Sequence, residues 1–127
     1  MATESTSIIR IFDVLVVTFP SNPLDQVVDE LQEDLLQSMD DVQPRGVVID
    51  IANVTTLDSF FARVIAETAD MVELMGGEAI VVGMRPSVAI TASELGYEFE
   101  DIETARNTDH ALSLLGVHAA HEERSDE

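Results

Sequence analysis

Several short apolar runs along the chain have the composition of β-strands. Ile8 to Phe12 and Val14 to Phe19 are rich in β-branched and aromatic residues, and they predict two strands that form a hairpin with its turn near Asp13. Two further runs, Gly46 to Ile51 and Ala79 to Gly83, are almost continuously apolar. A strand that is apolar at nearly every position is buried on both faces, which is typical of the centre of a mainly parallel sheet.

Between these strands, apolar residues recur at the spacing of amphipathic helices, with acidic residues on the opposite face. Prolines and potential capping residues mark several helix starts, and glycines mark several ends. The predicted helices begin after Asn22-Pro23 and end near Met39, run from Phe60 to Met75 before Gly76-Gly77, start at Arg85-Pro86 and reach Leu95-Gly96, and follow Asn107-Thr108-Asp109 up to Gly116.

Strands and helices therefore alternate in the order β-β-α-β-α-β-α-(β)-α, where the bracketed strand is a short edge strand predicted at Glu98 to Ile102. This order is typical of an α/β fold, with a mixed, mainly parallel sheet of four to five strands and about four helices packed on it. We predict a single domain over residues 8–116. Residues 1–7 are predicted to be disordered, and residues 117–127 to form an acidic, mobile tail.

Length and composition limit the class of protein. A chain of 127 residues with 46% hydrophobic residues is long enough to form one stable core. Cysteine is absent, which excludes disulfides and thiolate metal sites. No apolar run approaches the roughly 18 residues of a membrane-spanning helix, and the first residues do not resemble a signal peptide. We therefore expect a soluble, cytoplasmic protein.

The charge of the chain changes this picture further. There are 25 acidic residues against six basic ones, giving a net charge of −19, and every basic residue is arginine. Nucleic acids and anionic membrane surfaces are poor partners, because both require clustered cations. Strong self-repulsion is screened at high salt. An acidic surface without lysine therefore favours a cytoplasm of high salt, as in halophiles, over an ordinary acidic protein.

Motifs for several common activities are missing. A P-loop requires lysine, and no Gly-x-Gly-x-x-Gly or Gly-x-Ser-x-Gly pattern occurs. His118 and His121 are three residues apart, but two histidines without further ligands are more typical of a solvated surface than of a metal site. Spacing alone singles out none of the carboxylates as an acid or base. We accordingly predict no catalytic residue, no metal site, no cofactor and no enzymatic activity.

The polar turn between Ile51 and Phe60 is the most informative stretch. It leads from a buried strand into an apolar helix, whose first N–H groups lack helical partners. Thr56, Asp58 and Ser59 are all candidates for the helix N-cap, and capping is a sufficient structural explanation for them. A hydroxyl at such a helix entrance can also present itself to a partner protein, although the residues alone favour capping.

A family resemblance bears on this turn. The sequence Gly-Val-Val-Ile-Asp-Ile-x-x-Val-x-x-Leu-Asp-Ser-Phe-x-Ala-Arg-Val, starting at Gly46, resembles STAS domains of sulfate transporters and anti-sigma-factor antagonists. The later stretches Leu-Met-Gly-Gly, Val-Val-Gly-Met-Arg-Pro-Ser-Val-Ala-Ile-Thr and Glu-Leu-Gly look more narrowly like the RsbS-like single-domain proteins of stressosomes. The similarity extends from about Ile8 to Gly116, and the chain departs from the family mainly in its acidity and lack of lysine.

The resemblance implies a switch at Ser59. In RsbS-like proteins, the serine of this Asp-Ser motif is phosphorylated by an RsbT-like serine kinase, which the unphosphorylated form binds and the phosphorylated form releases. It also implies RsbR-like STAS partners and a homo-oligomer or larger assembly. The residues expected to contact the kinase surround the serine: Thr55, Thr56, Leu57, Asp58 and Phe60.

Several alternatives remain open at this stage. The second interpretation is an architectural STAS subunit of a stressosome-like assembly that has no switch, and the two roles are compatible. Thr91 or Ser93 corresponds to a region where related proteins carry a second phosphorylated hydroxyl, although two ordinary helix hydroxyls are the simpler interpretation. A receiver phosphorylated on Asp50 is disfavoured because receivers use a lysine, and no motif supports a small-molecule carrier or enzyme.

Overall fold

The computed structural model describes residues 8–21, 24–94 and 102–117 of the chain. Within these ranges, five strands form one sheet in which spatial order follows sequence order. The first pair is antiparallel and every later pair is parallel, so the predicted mixed, mainly parallel sheet is confirmed. The strands are β1 (Ile8–Ile11), β2 (Val14–Thr18), β3 (Gly46–Asp50), β4 (Glu78–Val82) and β5 (Glu103–Ala105).

Four helices cover this sheet in the described ranges: α1 (Asp25–Val42), α2 (Ser59–Leu74), α3 (Pro86–Glu94) and α4 (Thr108–Leu114). The helices α1, α2 and α3 connect successive parallel strands and share one hydrophobic core with one face of the sheet. The helix α4 packs on the opposite face through Ala111 and, just after its end, Leu115. No helix in the described part of the chain is long and apolar enough to cross a membrane.

The central strand β3 explains why its sequence is continuously apolar. Val47 and Ile49 belong to the core under the three crossover helices, whereas Val48 belongs to the core under α4. All three side chains are fully buried. Because successive side chains of a strand point to opposite faces, only a sheet covered on both sides buries them all.

The hairpin at the start of the chain turns at the predicted position, but its first strand is shorter than predicted. β1 ends at Ile11, and Phe12 adopts a left-handed conformation with φ 56°. Its side chain is 66% exposed. Phe12 therefore belongs to the turn. The sequence predicted it in the strand because aromatic side chains are common in strands.

The ends of the first two helices also differ from the predictions. The helix α1 continues to Val42 rather than ending near Met39, and it closes at Gln43, which has φ 54°. Asn22 and Pro23, the predicted start of this helix, lie outside the described residues, and Leu24 occupies its N-cap position. The helix α2 begins at Ser59, one residue before the predicted start at Phe60.

The predicted edge strand at Glu98 to Ile102 is placed differently by the structure. Residues 95–101 lie outside the described ranges, Ile102 is not in a strand, and the described edge strand is β5 at Glu103–Ala105. β5 pairs in parallel with β4, with Thr104 opposite Val81. The three residues of β5 are mostly exposed, because an edge strand does not require apolar side chains on both faces. A search for apolar runs therefore misses it.

Candidate functional site

The Asp-Ser turn lies at the carboxyl end of the parallel strands. The chain leaves β3 at Asp50 and enters α2 at Ser59, while β4 leads into α3 at the same edge of the sheet. In open α/β sheets, binding sites are generally formed by the loops at this edge. The structure thus places Ser59 on the side of the sheet where side chains from separate connections meet.

Asp58 is the N-cap of α2. Its backbone is extended (φ −103°, ψ 175°), and one carboxylate oxygen accepts a hydrogen bond of 2.8 Å from the backbone N–H of Phe61. The carbonyl of Asp58 accepts the first helical hydrogen bond, from Ala62 N–H at 3.0 Å. Of the three candidate caps Thr56, Asp58 and Ser59, the aspartate therefore occupies the position.

Because Asp58 caps the helix, Ser59 is left as the first helical residue and its hydroxyl is not needed for capping. The side chain is exposed, and the described residues offer its Oγ no hydrogen-bond partner. The first turn of a helix is electropositive and tolerates an anion. Ser59 is therefore accessible to another protein and lies where an added negative charge is compatible with the fold.

Phe60 and Arg63 flank the serine on the outer surface of α2. Phe60 is half-buried, and the guanidinium carbon of Arg63 lies 5.8 Å from the centroid of its ring. The Nε atom of Arg63 is 3.8 Å from a carboxylate oxygen of Glu67, one turn further along the helix. Both partners of this ion pair are about half exposed. Arg63 thus covers part of an aromatic ring beside Ser59 and is held by one long ion pair.

The turn before Asp58 is rigidly supported from two sides. A carboxylate oxygen of Asp50 accepts a hydrogen bond of 2.9 Å from Ala52 N–H, which closes the exit from β3. Arg85, in the connection after β4, donates from Nε to the carbonyl of Ala52 at 2.8 Å. Gly83 has φ +79°, and a Cβ there would lie 2.7 Å from the Cβ of Ala52. Arg85 therefore anchors the neighbouring connection as well as its own.

The other predicted contact residues divide into exposed and buried ones. Thr55 and Thr56 are exposed beside Asp58 and are available for contact. Leu57 is only 5% exposed and belongs to the core beneath α1, α2 and α3. The structure therefore does not support Leu57 as a surface contact: its apolar side chain fixes the turn to the domain instead.

The two candidates for a second phosphorylation lie on α3 and differ in accessibility. Thr91 is partly buried, and its hydroxyl donates a hydrogen bond of 3.1 Å to the carbonyl of Ser87. Ser93 is exposed. Phosphorylation of Thr91 would require its hydroxyl to give up the hydrogen bond to the Ser87 carbonyl, whereas no such bond is found for Ser93 among the described residues.

A shallow groove lies further along the same edge, lined by Met84, Thr104, Ala105, Arg106 and His110. The Nδ1 atom of His110 accepts a hydrogen bond of 3.1 Å from the backbone N–H of Arg106, so this nitrogen is occupied within the turn before α4. Residues 118 and 121, the other two histidines, lie outside the described ranges. Among the residues that the structure describes, no three acidic, histidine or cysteine side chains converge as metal ligands do.

Comparison with known proteins assigns this fold and turn to a family. The model of the STAS domain matches residues 5–111. The chain therefore belongs to the STAS domain family.

Solved structures bring the comparison closer. An RsbS variant of Moorella thermoacetica, which carries a serine-to-glutamate substitution, is 35% identical with a TM-score of 0.78, over 86% of this chain and 92% of that one. A chain from the molecular architecture of the stressosome, described as a signal integration and transduction hub, gives the same identity and TM-score over 86% and 95%.

Curated relatives point in the same direction. The RsbT co-antagonist protein RsbRD of Bacillus subtilis is 30% identical over 84 residues. These residues amount to 66% of this chain but only 30% of RsbRD, so the chain corresponds to one part of that longer protein. The B. subtilis protein YezB, whose function is uncharacterized, is 32% identical over 61% of this chain and 80% of its own length. The chain is thus similar to stressosome STAS proteins in sequence and structure.

Proposed function

We propose that the chain is a phosphorylation-switched binding module of the RsbS kind. Unphosphorylated, it binds an RsbT-like serine kinase through the surface around Ser59; phosphorylated on Ser59, it releases that kinase for downstream signalling in a stress response. The observation that carries this proposal is the exposed hydroxyl of Ser59 at the start of α2, which is not needed as the cap because Asp58 occupies that position and which bonds to none of the described residues. The module itself performs no catalysis.

The proposed partners follow from the named relatives. The RsbR proteins of B. subtilis similar to this chain are called co-antagonists of RsbT, which supports an RsbT-like kinase as the partner here. The match to a stressosome chain supports assembly with RsbR-like STAS proteins and with further copies of this chain. A cytoplasmic location is part of the same proposal.

A phosphate on Ser59 would change the surface without requiring a change of fold. It adds about −1.5 to −2 charges next to Asp58, on a chain whose net charge is already −19. The helix start accommodates the anion. In a docked partner, however, an acidic group would be repelled by the phosphate, and an apolar side chain would be exposed to water again. The contact surface consists of Thr55, Thr56, Asp58 and Phe60, and Leu57 supports it from the core.

The decisive experiment is phosphorylation by the kinase that co-purifies with the chain from its native host at native salt. We expect one phosphate on Ser59, located by mass spectrometry, and loss of kinase binding after modification. The variant Ser59→Ala should fold normally, bind the kinase and accept no phosphate, whereas Ser59→Asp should bind it more weakly. Equal phosphate incorporation into wild type and Ser59→Ala would disprove the assignment. Thr91→Ala and Ser93→Ala are matched controls, and they report directly on a second site.

An architectural role without a switch is the second candidate function, and the similarity to a stressosome chain favours it. It predicts a large particle with RsbR-like proteins whose size and yield are the same for wild type, Ser59→Ala and Ser59→Asp. Light scattering of the assembled particles measures this directly. If particle formation is the same for wild type and both Ser59 variants, and the chain binds no kinase, only the architectural role remains.

A further inference from the structure

The position of Arg63 relative to Ser59 has a consequence for the proposed switch. Ser59 is the first residue of α2 and Arg63 lies four residues later, so the two side chains are neighbours on one face of the helix. Arg63 is 54% exposed, and its ion pair with Glu67 is long, at 3.8 Å. Exposed pairs of this kind are held weakly. Arg63 is therefore able to exchange Glu67 for a stronger anion on its other side.

We propose that Arg63 pairs with the phosphate on Ser59, and that it leaves both Glu67 and the ring of Phe60 when it does so. The inference rests on the proposed function, since it concerns the phosphorylated form. It identifies Arg63 as the positioning residue through which the phosphate alters the neighbouring apolar surface.

The chemistry of the two anions favours this exchange. A phosphate carries more negative charge than the carboxylate of Glu67, and its three acceptor oxygens suit the planar, two-pronged guanidinium. The order also favours pairing, because an anion four residues N-terminal to a cation matches the helix dipole better than the reverse. The Arg63–Glu67 pair has the cation first. The pair with phosphorylated Ser59 has the favourable order.

Three other arginines in the described ranges already make short hydrogen bonds. Arg10 donates to the carbonyl of Phe12, Arg45 to the carboxylate of Asp13, and Arg85 to the carbonyl of Ala52, each at 2.8 Å. Arg106 follows β5, which is separated from β3 by β4. Among the described arginines, Arg63 thus combines helical proximity to Ser59 with a weak existing partner.

The movement of Arg63 would link the negative charge of the phosphate to the exposure of the Phe60 ring. In the unmodified chain, its guanidinium lies over the half-buried ring of Phe60. Pairing with the phosphate draws it off the ring towards residue 59 and away from Glu67, which uncovers that side of the ring. A kinase that recognises the Phe60–Arg63 surface therefore loses a cation and an aromatic contact together, in addition to meeting the new charge.

The test installs phosphoserine at position 59 genetically, so no kinase is needed. Wild type and Arg63→Gln are each compared with and without the phosphate by thermal unfolding, at the lowest salt at which all four proteins unfold cooperatively. We expect the phosphate to raise the Tm by roughly 2 °C more in wild type than in Arg63→Gln. The difference should vanish near 1 M salt, where the screening length is about 3 Å.

Controls separate the pair from a general charge effect. Arg10→Gln removes the same charge from β1 and should leave the phosphate effect at its wild-type size, while Arg63→Lys should retain part of it. The Nε–H resonance of Arg63 should shift on phosphorylation in wild type and in Glu67→Gln. An equal phosphate effect in wild type and Arg63→Gln, or an unmoved resonance, would overturn the pairing. Because the phosphate is installed without a kinase, that result leaves the kinase assay to decide the proposed function separately.

Discussion

The loops at the two ends of the sheet are held together by different hydrogen bonds. At the amino end, Arg45 joins three segments: its Nε donates to a carboxylate oxygen of Asp13 at 2.8 Å, its Nη1 to the carbonyl of Leu115 at 3.0 Å, and its carbonyl accepts from Glu78 N–H. At the carboxyl end, Asp50 and Arg85 form hydrogen bonds with the backbone N–H and carbonyl of Ala52. The side chain of Ser59 forms no hydrogen bond with any of the described residues.

Under the proposed function, this difference separates the contacts that stabilise the domain from the side chain that a partner would recognise. Charged side chains at the amino end are occupied in holding the β1–β2 turn, β3 and the end of α4 together. At the carboxyl end, the side chains of Asp50 and Arg85 and the buried Leu57 hold the turn, and the exposed hydroxyl of Ser59 takes no part in these contacts. A modification of Ser59 therefore changes the surface while leaving the supporting contacts unchanged.

The largest effect is expected from a glycine substitution that breaks the support at the carboxyl end. Gly83→Ala places a Cβ 2.7 Å from the Cβ of Ala52 and 2.9 Å from its Cα, at φ +79°. The left-handed backbone and the steric conflict together should destabilise the domain by about 3 kcal/mol, measured by denaturant unfolding.

The matched control for that substitution lies at the other end of the sheet. Gly76 also has positive φ (+95°), but a Cβ there meets nothing within 4 Å. Gly76→Ala should therefore cost only the backbone strain, about 1 kcal/mol. Equal costs for Gly76→Ala and Gly83→Ala would show that the contact between the two carboxyl-end connections is not close.

A smaller effect is expected at the helix cap. Asp58→Ala removes the 2.8 Å hydrogen bond to Phe61 N–H and should lower the free energy of unfolding by about 1 kcal/mol. Asp58→Asn keeps an acceptor oxygen and should retain most of the stability. If Ser59→Ala proved as destabilising as Asp58→Ala, the serine rather than the aspartate would be the cap, and its hydroxyl would no longer be available.

The smallest effect concerns pH at the amino end. The hydrogen bond from Arg45 lowers the pKa of Asp13 below its ordinary value of 3.8. A carboxyl whose pKa is lowered on folding stabilises the native state above the unfolded pKa, and this contribution is lost as the pH falls through the folded pKa. Between about pH 5 and pH 2, wild type should therefore lose slightly more stability than Asp13→Asn.

The control for this pH dependence is Asp70→Asn, which removes one exposed acid from α2 that has no ion pair among the described residues. Its acid-unfolding slope should match wild type more closely than that of Asp13→Asn. Identical slopes for wild type and Asp13→Asn would indicate that the Asp13–Arg45 pair does not persist in solution.

Much of the fold was predictable from local pattern. The apolar run of β3 indicated a central strand because only a doubly covered strand is apolar at every position. Within the predicted capping run Asn107-Thr108-Asp109, Asn107 is the cap, since its side chain accepts a hydrogen bond of 2.9 Å from His110 N–H. β5 was misplaced, and β1 was predicted too long at Phe12, because an edge strand and a left-handed turn leave weak or misleading apolar signals.

The local structure of the candidate site was predictable only in part. The Asp-Ser motif indicated Ser59 and its neighbours, but three residues of the turn were equal candidates for the cap. Leu57 was expected at the surface because it adjoins the motif, although its side chain packs into the core. Arg63 was overlooked as a neighbour of Ser59; the spacing of four residues on a predicted helix is a signal that was available to find it.

The sequence by itself determined the α/β order, the two-sided burial of the central strand and the presence of a hydroxyl at the start of α2, since periodicity and helix-terminal residues act over a few positions. Only the tertiary structure decided which side chain caps the helix, that Leu57 is buried, and that Arg85 and Gly83 hold Ala52 from the next connection. The contacts of Ala52 with Arg85 and Gly83 join segments about 30 residues apart at one edge of the sheet, and local patterns carry no information on such contacts. The cap is a local contact, but three residues of the turn had the chemistry for it, and only the backbone geometry selected Asp58.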